Sequence, residues 1–206
     1  MALVDVKEVS PEEYLSKEFD HPVFTHIDVQ EYNVRKSDGQ FDKKEFYTDP
    51  KDYKSTFPNF LNSSDMYIAC HYWDSRAPFL YTREDAKSFD RLAVVADISC
   101  DIDGPVASTI RPSKIADPIY GYNAKTEGED DYKKDGVIAV MAVDNLPCEL
   151  PKDASVDFGN ELINNIFDSL FTGDKDGIIY RASETILEGK LNEPFEYLEA
   201  YLAGKE

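Results

Sequence analysis

The sequence predicts an α/β fold. Three apolar runs of strand length, residues 66–72 (MYIACHY), 92–99 (LAVVADIS) and 137–143 (VIAVMAV), alternate with segments of helical character, the pattern of a sheet with flanking helices. Two of these runs break abruptly into acids: Asp97, Asp101 and Asp103 follow one, and Asp144 follows the other. Near-continuous apolar strands belong to parallel sheets buried on both faces, where ligands bind outside the carboxyl ends of the strands. Polar chemistry is therefore expected around residues 97–103.

Taken in order, residues 4–9 read as a short strand. Ser10, Pro11, Glu12 and Glu13 then form a helix start, with Ser10 as cap, Pro11 at the first helical position and acids in the first turn. Residues 22–29 (PVFTHIDV) alternate and read as a strand, and Ser37-Asp38-Gly39 as a turn. Residues 42–61 are aromatic-rich, punctuated by Pro50 and Pro58, and predict one or two short helices. Thr82-Arg83-Glu84-Asp85 has the form of a capping box. Residues 105–122 carry three prolines and predict a long loop, and residues 123–136 an acidic, mobile one. Residues 151–171 place Phe158, Leu162, Ile163, Ile166, Phe167 and Leu170 on a helical stripe. Residues 178–187 and 194–202 predict two further helices.

A chain of 206 residues is long enough for one large domain, so a single α/β domain over 1–206 is expected. Its 42% hydrophobic and 13% aromatic content opposes disorder despite a net charge of −19. That acidity argues against nucleic-acid or anionic-membrane partners, which it would repel. Cys70, Cys100 and Cys148 have no paired spacing, so neither a disulfide framework nor a zinc site is predicted. The expectation is a cytoplasmic protein with no metal and no membrane span.

Ser99-x-Asp101-x-Asp103-Gly104 has the alternating oxygen ligands of a calcium loop, but Ile110 stands where the bidentate acid belongs. His71 and Asp101 are candidates for an acid–base pair, although a lone Cys70 or His71 at a strand tip is commonly packing. Neither GxGxxG nor GxxxxGK[ST] occurs among the ten scattered glycines. On residues alone, Asp97, Asp101 and Asp144 also fit a structural role, capping strand ends.

Residues 97–109 (DISCDIDGPVAST) joined with 143–155 (VDNLPCELPKDAS) resemble the saccharopine dehydrogenase (lysine-forming), lysine-ketoglutarate reductase and alanine dehydrogenase family. Arg35–Asp38, the aromatic segment 46–57, the segment 68–78 and Thr82-Arg83-Glu84-Asp85-Ala86 extend the resemblance over most of the chain. It implies an incomplete Rossmann-like parallel sheet with flanking helices, lacking the first βα unit and its Gly-rich loop. It implies NAD or NADP as cofactor and hydride transfer at the carbon bearing an amino acid's nitrogen. Carried over by position, Cys70, His71 and Tyr72 lie along the dinucleotide. Asp97 and Ser99 belong to the same crevice, and Asp101 assists catalysis near the nicotinamide. Asp144, Asn145 and Leu146 pack against the nicotinamide and its ribose. The family's catalytic lysine and histidine have no counterpart, so the chain resembles the last part of a longer enzyme, and the ribose-binding acid stays open between Asp28 and the segment after residue 9. The implied partners are an amino-acid or keto-acid substrate and a second copy in a homo-oligomer. The competing expectation is a non-catalytic, truncated α/β module that acts in interaction or as a remnant.

Overall fold

Ser10 caps the first helix as its residue type requires. Its hydroxyl accepts a hydrogen bond from the Glu13 amide at 3.2 Å, with Pro11 in the first helical turn. The structure is a computed structural model that describes residues 5–186 and 188–205. Val4 of the first expected strand and Leu187 of the expected helix over 178–187 lie outside the described residues. The chain forms two compact units, one ending at Leu146 and one starting at Pro147.

In the first unit, β1 (Lys7–Glu8) and β2 (Val23–Phe24) pair in parallel on either side of α1 (Pro11–Ser16). The strand expected over 22–29 is only two residues long. Its far end is claimed by α2 (Val29–Tyr32), where the Glu31 carboxylate accepts from the Asp28 amide at 2.6 Å. An antiparallel ribbon of β3 (Asn33–Arg35) and β4 (Tyr53–Ser55) follows, with α3 (Lys43–Thr48) between its strands. Buried Tyr53 meets Phe41 and Phe46 edge-on at 5.8 and 5.1 Å, which is how the aromatic segment is spent.

After α4 (Pro58–Leu61) comes the main sheet, built from β5 (Met66–Ala69), β6 (Val94–Asp97), β7 (Ile119–Asn123), β8 (Gly128–Asp130) and β9 (Ile138–Met141). The strand order is β5-β6-β9-β7-β8. β5, β6 and β9 run parallel, with Ala69 opposite Asp97 and Ala96 opposite Met141, so the two acid-broken runs are neighbouring strands. Helix α5 (Arg83–Ala86) lies between β5 and β6 in the chain and opens on Thr82, as its capping box predicts. Val95, Val106, Val140 and Tyr122 are fully excluded from water, and the core spreads from them to Leu61 and Tyr81.

The β7–β8 arm corrects the loops expected over 105–122 and 123–136. It is antiparallel, and β7 pairs with β9 as well as with β8, which makes the sheet mixed. Pro112 and Pro118 break the chain only before β7 begins, and the acids of β8 sit on its edge, where charge is tolerated.

In the second unit, α6 (Pro151–Leu162), a π-helical turn (Ile163–Phe167) and α7 (Asp168–Thr172) make up the long helix that the apolar stripe predicts. The next helix, α8 (Ile178–Ala182), is shorter than expected. Asp174 binds the amides of Ile179 and Tyr180 at 2.9 Å, and buried Asn192 takes up the carbonyls of Tyr180 and Ser183 at 2.7 and 3.1 Å, ending the helix there. A 3-10 stretch (Glu193–Leu198) leads into α9 (Glu199–Leu202).

Gly121 lets β7 and β8 approach closely. A Cβ there would collide with the Asp130 carbonyl and lie 2.6 Å from the Tyr132 amide and 2.7 Å from Val137 Cγ1. Gly121→Ala is expected to destabilise the protein by about 1–3 kcal/mol in urea unfolding, with the loss concentrated in amide protection of β7 and β8.

Candidate functional site at the strand tips

The parallel register delivers three loops to one end of the sheet: residues 70–73 after β5, 98–104 after β6 and 142–146 after β9. Two residues stitch the three loops together. Ser99 Oγ donates to the His71 carbonyl at 2.8 Å and accepts from the His71 amide at 3.2 Å. Cys100 joins the second loop to the third, its thiol donating to the Ala142 carbonyl at 3.2 Å. That carbonyl also accepts from the Ser113 amide at 2.8 Å.

Asp97 lies beneath these loops, fully buried. Its Oδ1 accepts from the amides of Ser99 and Cys100, each at 3.1 Å, and its Oδ2 accepts from Thr109 Oγ1 at 2.6 Å. A buried carboxylate is tolerated only when its lone pairs are taken up this way. These bonds also hold Cys100 at a φ of +55°, a conformation that costs a non-glycine residue of order 1–3 kcal/mol. The turn then closes at Gly104, where a Cβ would stand 2.7 Å from Asp101 Cβ. Asp103 is paired with Arg83 of α5 at 2.8 Å.

Of the residues singled out by sequence, Asp97, Ser99, His71 and Asp101 are brought together. Among the described residues the Asp101 side chain makes no hydrogen bond, and it is half-buried. Asp144 and Asn145 are exposed and Leu146 is half-buried, in the loop after β9. Burial, and then the negative charges of Asp97, Asp144 and Asp101, push the Cys100 thiol up from its ordinary value. Tyr72 is 93% exposed and touches the cluster only through the chain. Cys70 and His71 line a cavity of about 980 Å³ beside β5, which Tyr67 and Ile68 also line.

His71 is half-buried, and its Nε2 is enclosed without a hydrogen-bond partner among the described residues. Burial drives its pKa below 6.5, against the opposing pull of Asp97 and Asp101. A ring nitrogen without a partner beside uncommitted carboxylate oxygens at parallel strand ends makes a polar crevice whose donors and acceptors are of the kind that hold ribose hydroxyls and an amide. Sequence reasoning missed Thr109, Cys100 and Tyr120. Tyr120 OH donates to the Ser108 carbonyl at 2.9 Å and accepts from the Ile110 amide at 3.1 Å, shaping the loop that carries Thr109. The one signal for Thr109 is its place in a run of small residues after Gly104-Pro105.

Thr109→Val leaves Asp97 with one donor fewer and is expected to cost about 1.5–3 kcal/mol by urea unfolding. His71 gives a pH signature. The folded state holds it neutral, so the unfolded chain takes up the extra proton as pH falls, and stability present above about 6.5 is lost below it. Stability measured on either side of that value should fall less in His71→Gln than in the unaltered chain.

Comparison with known proteins identifies the family of the chain. The family description "Alanine dehydrogenase/PNT, C-terminal domain" matches residues 21–192. Alpha-aminoadipic semialdehyde synthase of Arabidopsis thaliana is 33% identical over 128 residues, 59% of this chain and 12% of that protein. The mitochondrial alpha-aminoadipic semialdehyde synthase of Rattus norvegicus is 25% identical over 228 residues, 98% of this chain and 24% of that protein. Saccharopine dehydrogenase (NAD(+), L-lysine-forming) of Neurospora crassa is 28% identical over 107 residues, 52% of this chain and 28% of that protein. The chain thus spans 12% to 28% of the length of these relatives. With the family description covering most of its length, the chain belongs to the alanine dehydrogenase/PNT C-terminal domain family.

Proposed function

We propose that this chain is the cofactor-binding segment of an amino-acid dehydrogenase of the saccharopine/alanine dehydrogenase type, with NAD or NADP at the ends of β5, β6 and β9. The observation that carries this reading is the gathering of Asp97 and Asp101 at the end of β6 and of Asp144 after β9 around Cys100, beside an imidazole nitrogen at the end of β5 that has no partner among the described residues. When bound, the dinucleotide supplies or accepts the hydride at the carbon bearing the amino nitrogen. The helices from Pro147 onward are read as the C-terminal part of the same nucleotide-binding domain.

The chain's own residues have separable parts. Asp97 is committed to the backbone and to Thr109, so it acts by fixing the loop rather than by touching the cofactor. Ser99 sets the height of His71 through its two bonds to that residue's backbone. Asp101 and Asp144 keep free oxygens, and their negative charge favours the cationic species of the reaction, the oxidised ring and a protonated imine, over neutral ones. Asn145 offers an amide donor and acceptor to the carboxamide, with Leu146 as apolar contact beside it. Cys70, His71 and Tyr72 supply the polar and aromatic edge along the ribose. Acid–base work on the substrate falls to groups beyond these residues. Cys70, Cys100 and Cys148 are free, in support of a reducing compartment, the cytoplasm in this reading. Among the described residues no helix is long and apolar enough to cross a membrane.

The test is a nicotinamide fluorescence titration with NADH and NADPH, joined to turnover of the intact protein. Asn145→Ala is expected to raise the dissociation constant about tenfold, the loss of one good polar contact. Asp101→Asn is expected to lower turnover about 100-fold with its unfolding midpoint unchanged. Turnover and binding unaltered in both variants would remove Asp101 and Asn145 from the site.

A further inference from the structure

Positive charge gathers at one place away from the strand tips. In a chain of net charge −19, a cavity of about 460 Å³ is lined by Lys36, Lys51, Lys54 and Arg76, with Asp85 as the one acid. None of the tip residues discussed above lines it. The β3–β4 ribbon creates the cluster. Val34 pairs with Lys54 and Arg35 with Tyr53, and Lys36 follows β3 directly, its amide donating to the Asp52 carbonyl at 2.8 Å, so that Lys36 and Lys54 line the same cavity.

The surrounding charges are already spoken for. Arg35 is neutralised by Asp38 and Glu45, each at 2.6 Å. Arg76 is paired with Asp74 at 2.7 Å, and Lys51 reaches Asp49 at 3.7 Å. Asp85 accepts from the amide and hydroxyl of Thr82 at 2.8 and 2.7 Å, holding the start of α5. Lys36 Nζ donates to the Lys51 carbonyl at 2.6 Å, which satisfies a proton but not a charge. Among the described residues neither Lys36 nor Lys54 is paired with a carboxylate. Two ammonium groups without a carboxylate partner line one concave site, and a ligand with two closely spaced negative charges supplies a partner to each.

We propose that this cavity is a second binding site, for a small dianion, held by Lys36 and Lys54. A phosphate ester and a short dicarboxylate share this chemistry. Phe79 forms part of the wall, and the chain's one tryptophan, Trp73, reports on it. Its ring meets Phe79 edge-on at 5.5 Å and its Nε1 donates to the Pro78 carbonyl at 3.3 Å.

The experiment titrates the chain with inorganic phosphate and with succinate at constant ionic strength, chloride serving as reference. Trp73 fluorescence is the readout, with equilibrium dialysis of labelled phosphate and labelled succinate as an independent measure of binding. Saturable binding of one or both dianions is expected, weakened at least tenfold in K36Q/K54Q and unchanged in K114Q, which alters an exposed lysine elsewhere. Because Lys36 and Lys54 are exposed, the double variant should keep its fold. Binding of phosphate alone identifies a phosphoryl ligand, and of succinate alone a dicarboxylate. Absence of saturable binding, an equal response to chloride, or equal binding by K36Q/K54Q overturns the proposal.

Discussion

One buried carboxylate governs the functional end of this sheet. Asp97 ends β6 with no access to water, and its stability there rests on three donors: two amides of its own loop and the Thr109 hydroxyl from twelve residues on. Deprived of them, an ionised carboxylate in that position would cost several kcal/mol. The bonds therefore run in both directions. They solvate the acid, and in return the acid dictates the path of the loop, including the left-handed Cys100 and the return of the chain to Thr109. Through Ser99 and Cys100 the same constraint passes to the loops after β5 and β9, so the three tips are positioned as a set.

The electrostatic division of the first unit follows from the same economy of partners. At the tips, Asp97, Asp101 and Asp144 gather without an ion-pair partner among the described residues, and the nearest titratable neighbours, His71 and Cys100, are pushed toward their neutral forms and act as hydrogen-bonding groups. At the β3–β4 ribbon the reverse holds: Lys36 and Lys54 line one cavity, while their neighbours' charges are cancelled locally. A chain of net charge −19 thus holds two regions of opposite local character.

Much of this was legible in the residues. The apolar runs ending in Asp97 and Asp144 announced two buried parallel strands, because only a strand covered on both faces tolerates such a run. Ser10-Pro11 and Thr82 to Asp85 marked helix starts by local hydrogen-bonding chemistry, which needs no tertiary context. The β7–β8 arm was hidden by the prolines before it and by a Gly121 whose value lies in how close another strand comes. Asp97 could not be told from a ligand-binding acid by spacing, since Thr109 reaches it only once the loop between them has closed. The cationic cavity at β3–β4 was likewise invisible, because strands of three residues carry too little alternation to be recognised.

The long C-terminal helix carries a last consequence. Its π-helical turn at Ile163–Phe167 closes its hydrogen bonds one residue later than an α-helix does, so the stretch holds one residue that the helical repeat does not need. Removing one residue there would restore a regular helix and keep Leu170 and Phe171 in phase with the residues before the turn. Removing one elsewhere would rotate the following stripe by about 100°. The bulge is a site of length tolerance, where loss of one codon leaves the direction of the helix and the facing of its far end intact.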